Sequence, residues 1–107
     1  MTRPRVLDVD AARFGAVVNR LRRERGWSLV DLSKLTGMNA IYLGVLERGE
    51  NVPSLTTILR LAEALGVAAA ELVHEVALAR RAARAKTAPH GTVAESTETD
   101  GFGRGTE

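Results

Sequence analysis

Apolar residues recur at every third or fourth position along most of this chain, which is the spacing of one face of an α-helix. Together with residues that start and stop helices, this recurrence predicts five helices. The first begins with Asp10 as its N-cap and is stopped by Gly26. The other four are predicted over residues 29–36, 40–47, 55–65 and from 69 to about 84.

The apolar stripes of these helices predict a core that is mostly aliphatic. Aromatic residues make up only 4% of the chain, so Leu, Val, Ile and Ala must supply most of the buried surface. The residues predicted to face the core are Phe14, Val17, Val18, Leu21, Trp27, Leu32, Met38, Leu43, Leu46, Leu55, Ile58, Leu59, Ala62, Leu65, Ala69, Leu72, Val73, Val76 and Ala83.

Residues 29–48, LVDLSKLTGMNAIYLGVLER, have the pattern of a helix-turn-helix motif. Gly37 stands between two short amphipathic helices, where a tight turn favours a residue that accepts positive φ. Ser33 is a small residue one turn earlier, as a close crossing of two helices requires. Ser28 and Asn39 precede the two helices and are suited to cap them. We expect this motif to be the centre of the fold.

The sequence on both sides of the motif carries further marks: RRERGWS at residues 22–28, YLGVLERGE at 42–50, PSL at 53–55 and LAEALGV at 61–67. With these marks, residues 14–73 resemble a repressor domain of the Cro/C1 type, also called the XRE type. The tyrosine-leucine-glycine and ERG run is also similar to the controller proteins of restriction-modification systems. The resemblance implies an all-α, five-helix, lambda-repressor-like domain that binds double-stranded DNA.

The resemblance also implies roles for individual residues. In the family, an arginine at the position of Arg22 pairs with a glutamate near the end of the second motif helix, which is Glu47 here. We expect this pair to have a structural role rather than to contact a ligand. The family usually has a glutamine where this chain has Leu29, and that glutamine holds a DNA phosphate. Leu29 cannot make this contact.

Phosphate contacts in the family come from helix caps and from the loop after the second motif helix. The matching phosphate candidates in this chain are Ser28, Asn39, Arg48, Asn51, Ser54 and Thr56. Ordinary turn and capping chemistry is the alternative interpretation of the same residues.

The predicted recognition helix, residues 40–47, has two different sides. At 100° per residue, Leu43, Leu46 and Glu47 lie together on the inner side. The residues predicted to read DNA bases from the other side are Ala40, Ile41, Gly44 and Val45. This surface is apolar, whereas the resembled family carries polar side chains here to hydrogen-bond base edges. Two hypotheses follow: thymine methyl contacts, phosphate clamping and DNA shape together give specificity, or the surface binds a protein partner.

The last predicted helix is longer than a five-helix domain of this kind needs for its own core. Residues 76–84 are the surplus, and Leu78 points away from the buried stripe of the helix. A two-fold dimer could use this second apolar surface, and an isolated exposed leucine is the alternative. The predicted dimer contacts are Leu72, Val76, Leu78 and Ala79.

Charge is distributed unevenly along the chain. Residues 1–86 contain 14 Lys and Arg against nine Asp and Glu, whereas residues 87–107 contain one against four. A basic domain is compatible with nucleic acid as a partner. The predicted organisation is an N-terminal arm over 1–9, a helix-turn-helix domain over 10–86 and a disordered tail over 87–107. The arm, with Arg3 and Arg5, is either a frayed terminus or a basic arm that lies along DNA.

Composition excludes several other classes of protein. The 107 residues allow one domain with tails, and the absence of cysteine excludes disulfides, thiolate catalysis and Cys-based zinc sites. His74 and His90 have no ligand spacing and no paired nucleophile, so we expect no metal, no cofactor and no enzyme. No apolar run reaches about 18 residues, and the N-terminus is charged where a signal peptide is apolar. We therefore expect a cytoplasmic protein with no membrane contact.

These observations together predict a homodimeric, sequence-specific transcriptional regulator that binds a pseudo-palindromic operator in double-stranded DNA. The alternative function is a helix-turn-helix fold used as a protein-interaction module, either an antitoxin or an adaptor for another regulatory protein.

Overall fold

The computed structural model describes residues 8–87, which form five α-helices. The helices are α1 (Val9–Glu24), α2 (Leu29–Thr36), α3 (Ala40–Glu47), α4 (Leu55–Leu65) and α5 (Ala69–Thr87). Residues 8–87 contain no β-strand, and the predicted all-α, five-helix fold is confirmed. The predicted arm up to residue 7 and the predicted tail after residue 87 lie outside the described residues.

The first helix begins earlier than the sequence pattern predicts. Asp8 is the N-cap, and its carboxylate accepts a hydrogen bond from the N–H of Ala11 at 3.0 Å. The prediction of Asp10 as the cap is wrong, because Asp10 lies inside the first turn, 3.2 Å from Arg13. Both aspartates are able to cap a helix. A start at Asp8 also places the Asp10 charge near the positive end of the helix dipole.

Residues from all five helices form the core. α1 packs against α3 and α5, and α2 packs against α3 and α4. The buried cluster consists of Phe14, Val18, Leu21, Leu32, Met38, Leu43, Leu46, Leu61, Ala62, Leu65 and Leu72. Because α3 is only eight residues long, its position depends on this packing rather than on its own helical stability.

The buried side of α4 differs from the prediction. Leu55 is 70% exposed and Leu59 is 51% exposed, whereas Thr57 and Leu61 are buried. α4 carries leucines on more than one side, so the spacing of apolar residues alone could not select the buried side. Residues 57, 61 and 65 form the stripe that faces the core, which leaves Leu55 and Leu59 on the surface.

Two predictions for α5 are also wrong. Leu72 is 1% exposed and belongs to the core, so it cannot be the dimer contact that the sequence predicts. Val73, predicted to be buried, is exposed. The core-facing side of α5 is narrow, since Ala69, Leu72 and Val76 already fill the space next to the core. Leu78 is exposed, as the sequence predicts, and so is Ala79.

An ion pair connects the middle of α5 to α1. The guanidinium of Arg20 donates to both carboxylate oxygens of Glu75 at 2.7 Å. These bonds, and a weaker one to Glu24, raise the pKa of Arg20.

Among the described residues, no helix has both the length and the hydrophobicity that crossing a membrane requires.

Candidate nucleic-acid interface

The turn between α2 and α3 is fixed by backbone conformation and by two hydroxyl groups. Gly37 has φ of +75°, as predicted, and its N–H donates to the carbonyl of Ser33 at 2.8 Å. The Ser33 hydroxyl donates to the carbonyl of Met38. The Thr36 hydroxyl accepts the N–H of Met38 at 3.1 Å. These bonds set the angle at which α3 leaves α2.

Asn39 starts α3 by capping it. Its side-chain oxygen accepts the N–H groups of Ile41 at 2.7 Å and Tyr42 at 3.3 Å. Asn39 is itself exposed, so it lies at the surface although its oxygen is already bonded. Its first contribution to the interface is therefore to begin the helix at this position.

The start of α2 contains a complete capping box. The Ser28 hydroxyl accepts the N–H of Asp31 at 3.0 Å, and the Asp31 carboxylate accepts the N–H of Ser28 at 2.8 Å. The hydrogen bond from the Ser28 N–H to this carboxylate lowers the pKa of Asp31, and the Ser28 side chain lowers it further. A carboxylate therefore occupies the N-terminal end of α2. A phosphate at the predicted Ser28 contact would meet that negative charge.

The C-terminal end of α3 is bound to α1 through Glu47. Arg22 donates to its two carboxylate oxygens at 2.7 and 2.9 Å. Asn19 donates to the same carboxylate at 2.8 Å, and the Arg22 guanidinium also reaches the carbonyl of Trp27 at 2.7 Å. The side chains of Arg22 and Glu47 are 10% and 6% exposed. The hydrogen bonds to Glu47 raise the pKa of Arg22 against the opposing effect of burial.

Close backbone contact between α1 and the end of α3 requires two glycines. A Cβ on Gly15 would overlap the carbonyl oxygens of Leu46 and Glu47. Gly49 follows α3 with φ of +73°, and a Cβ there would overlap the backbone of Ala12. α1 and the end of α3 can therefore approach this closely only because residues 15 and 49 are both glycine.

The outward side of α3 is formed mainly by Ile41. This side chain is 78% exposed, and Ala40 and Val45 beside it are half-buried. Gly44, which the sequence predicts to read bases, is buried, so it is not accessible as predicted. The side chains of Leu29 and Arg48 lie over its backbone, 3.5 and 3.1 Å from where a Cβ would be. A glycine has no side chain of its own, so its neighbours decide whether it is accessible.

The phosphate candidates border α3 but differ in what else they bind. The Arg48 guanidinium donates to Glu50 at 3.1 and 3.3 Å while remaining exposed. The Ser54 hydroxyl accepts the N–H of Thr57 and donates to its hydroxyl, both at 3.1 Å. Asn51 and Thr56 are exposed. The side chains of Leu29 and Arg48 both lie over Gly44, so residues of α2, of α3 and of the end of α3 meet at this position.

Three structural residues were not identified from the sequence. Gly15 could have been recognised as a glycine inside a helical pattern, which costs stability unless a close contact requires it. Asp31 follows Ser28 at capping-box spacing, which is a recognisable signal. No sequence signal identifies Asn19, since its contact with Glu47 joins residues 28 positions apart.

Comparison with known proteins agrees with this geometry. The family model described as a helix-turn-helix domain matches residues 13–76. The HTH-type transcriptional regulator SutR of Escherichia coli (strain K12) is 40% identical over 59 residues, 54% of this chain and 33% of SutR. This chain therefore corresponds to about a third of the length of that relative.

Two solved structures have the same arrangement of helices. The restriction-modification controller protein C.AhdI from Aeromonas hydrophila is 38% identical, with a TM-score of 0.59 over 61% of this chain and 98% of C.AhdI. SinR, a master regulator for biofilm formation solved in complex with DNA, is 28% identical, with a TM-score of 0.53 over 56% of this chain and 97% of SinR. This chain belongs to the family of helix-turn-helix domains, and its resemblance to Cro/C1-type regulators and to controller proteins is confirmed.

Proposed function

We propose that this chain is a sequence-specific DNA-binding transcriptional regulator, with α3 as the helix that enters the major groove. The observation that carries the proposal is how α3 is held. Its end is bound to α1 through Glu47, its inner side is buried, and the side with Ile41 is exposed. A rigidly anchored helix with one exposed side is what reading base edges requires. The similarity to SinR, whose structure contains DNA, supports the same function.

Phosphate binding in this proposal comes from the residues around α3. Arg48, Asn51 and Thr56 have exposed side chains, and α4 begins at Leu55, beside them in the sequence, where a helix N-terminus favours an anion. Ser54 and Asn39 contribute by capping the helices at which phosphates bind. We expect Ser28 to contribute least, because the Asp31 carboxylate lies next to it.

A homodimer is the second part of the proposal. One recognition helix reads too few base pairs to find a site in a genome, so proteins of this fold place two of them about 34 Å apart on a pseudo-palindromic operator. The interface that we propose is formed by Val52 of the loop before α4 and by Leu55 and Leu59 of α4, which are all exposed. Because Leu72 is buried, this surface replaces the α5 surface that the sequence predicts. A two-fold axis through it would pair the same apolar residues of both copies.

This function also suggests a location. A regulator of this kind acts in the compartment that holds the DNA, so we propose that the protein is cytoplasmic.

A mobility-shift titration of the full chain against genomic fragments tests the proposal. We expect some fragments to stay bound in excess competitor DNA at both about 50 mM and about 200 mM salt. Arg48→Ala should weaken binding to all fragments similarly and reduce the salt slope by about one unit. Arg81→Ala on α5, the matched control, should leave the slope unchanged. Loss of all complexes to competitor would instead favour a protein-interaction module.

A further inference from the structure

We propose that α3 recognises the C5-methyl group of thymine in the major groove, through Ile41 and Val45. The inference rests on the proposed DNA-binding function and adds the chemistry of readout: apolar contact in place of hydrogen bonds to base edges.

The first observation is that the outward side of α3 carries no hydrogen-bonding side chain. Of its eight residues, only Tyr42 and Glu47 carry polar groups. Glu47 is bonded to Arg22 and Asn19 and is 6% exposed. Tyr42 packs against the hydrophobic core. The side that remains is formed by Ala40, Ile41 and Val45, which have only apolar side chains.

The second observation is that the polar side chains nearest this surface, Asn39 and Arg48, lie at the two ends of α3. The side-chain oxygen of Asn39 is bonded to two backbone N–H groups of α3. The Arg48 guanidinium lies over Gly44 and donates to Glu50. On the α2 side, Leu29 covers Gly44 with an apolar side chain. The centre of the interface is therefore apolar.

The apolar surface of α3 matches one chemical group of the major groove. Among the four bases, thymine alone presents an apolar group in the major groove, its C5-methyl group, and aliphatic side chains contact it there. An aliphatic side chain that is 78% exposed, as Ile41 is, gains when such a contact removes it from water. Binding one methyl group in this way corresponds to about a fourfold gain in affinity. The same group is present in 5-methylcytosine, so the experiment must distinguish the two bases.

The experiment starts from duplexes that the full chain selects from a random library. Each thymine of the selected site is replaced in turn by deoxyuridine, which removes only the methyl group, and affinity is measured by fluorescence anisotropy. We expect about fourfold weaker binding at each contacted thymine. In Ile41→Ala or Val45→Ala, the loss at one of these positions should disappear. Leu78→Ala, an aliphatic truncation on an exposed part of α5, should retain every loss.

A second comparison separates the methyl group from the rest of the base. When a contacted T·A pair is replaced by a C·G pair or by a 5-methylcytosine·G pair, the two replacements differ by one methyl group. We expect the duplex with 5-methylcytosine to bind more tightly than the duplex with cytosine and more weakly than the duplex with thymine. A higher affinity for 5-methylcytosine than for thymine would overturn the assignment of thymine as the ligand.

Other results separate the inference from the proposed function. If the library gives a defined site but deoxyuridine weakens binding nowhere, the inference is wrong and the function stands. If the losses persist unchanged in both Ile41→Ala and Val45→Ala, the methyl groups act through DNA shape and the inference is again wrong. If no sequence is enriched, DNA-specific function fails and the inference fails with it. A protein partner for the α3 surface would then be the better hypothesis.

Discussion

Arg22 and Glu47 bind α3 to α1 through two hydrogen bonds of 2.7 and 2.9 Å. Both side chains are largely buried. Each charge compensates the other, and the removal of one residue would leave the opposite charge buried and uncompensated. The position of α3 therefore depends on a pair outside its exposed side, which is the surface that we propose to bind DNA.

Arg22→Ala should lower the free energy of unfolding by about 3 kcal/mol, because Glu47 would remain buried without its charged partner. Urea denaturation followed by circular dichroism measures this change. Arg23→Ala, which removes an exposed arginine at the next position, should change stability by less than about 0.5 kcal/mol. The double variant Arg22→Met, Glu47→Leu should recover most of the loss, since it leaves no buried charge. Equal losses in Arg22→Ala and Arg23→Ala would contradict a structural role for the pair.

The same substitution should have opposite effects at two glycines. Gly15→Ala should destabilise the fold by about 3 kcal/mol or prevent folding, because the new Cβ would meet backbone carbonyls that cannot move independently. Gly44→Ala meets only the side chains of Arg48 and Leu29. Those side chains can shift, and alanine favours a helix over glycine by about 1 kcal/mol, so this variant should be as stable as the parent or more stable. Thermal melting of both variants checks the prediction, and a stable Gly15→Ala protein would refute the close crossing of α1 and α3.

Stability should depend on pH through Asp31. The folded state lowers the pKa of this carboxyl, chiefly by the bond from the Ser28 N–H. The ionised carboxylate therefore stabilises the fold above the ordinary aspartate pKa, and that contribution is lost as pH falls through the folded-state pKa. We expect Asp31→Asn to melt at a lower temperature than the parent near neutral pH, and the gap to close in acid. A gap that is independent of pH would show that the charge of Asp31 is not responsible.

The proposed dimer surface can be tested against the one that the sequence predicts. Leu55→Glu together with Leu59→Glu should give a monomer in sedimentation equilibrium and weaken operator binding, because charges would replace two exposed leucines at the interface. Leu78→Glu with Ala79→Glu, an equal change of charge on exposed α5 positions, should leave the dimer intact. The reverse pattern would return the interface to α5.

Most of the fold could be predicted because its signals are local. Ser28, Asn39 and Ser54 are capping residues next to apolar stripes, and they set the starts of α2, α3 and α4 as predicted. The turn at Gly37 could be predicted because it depends on the positive φ of that residue alone. Where two residues meet the same local criterion, as Asp8 and Asp10 do, the sequence could not separate them.

The remaining features depend on neighbours that are distant in sequence. Leu55 and Leu59 are apolar like the buried residues of α4, and only the positions of α2 and α5 decide which side of α4 is covered. Gly44 is outward on a helical wheel, but Leu29, 15 positions away, covers it. Asn19 reaches Glu47 only after α1 and α3 have packed.

The relative affinity for a selected duplex and for a shuffled duplex of equal composition tests DNA reading by α3 most directly. Fluorescence anisotropy at one fixed salt concentration gives both dissociation constants for the parent and for a variant with Ile41→Ala and Val45→Ala. We expect the parent to prefer the selected duplex by about a thousandfold or more. The double variant should lose about sixteenfold of that preference, about fourfold for each of two methyl contacts, and keep its affinity for the shuffled duplex. Equal affinity of the parent for both duplexes, or an unchanged preference in the folded double variant, would contradict sequence reading by this helix.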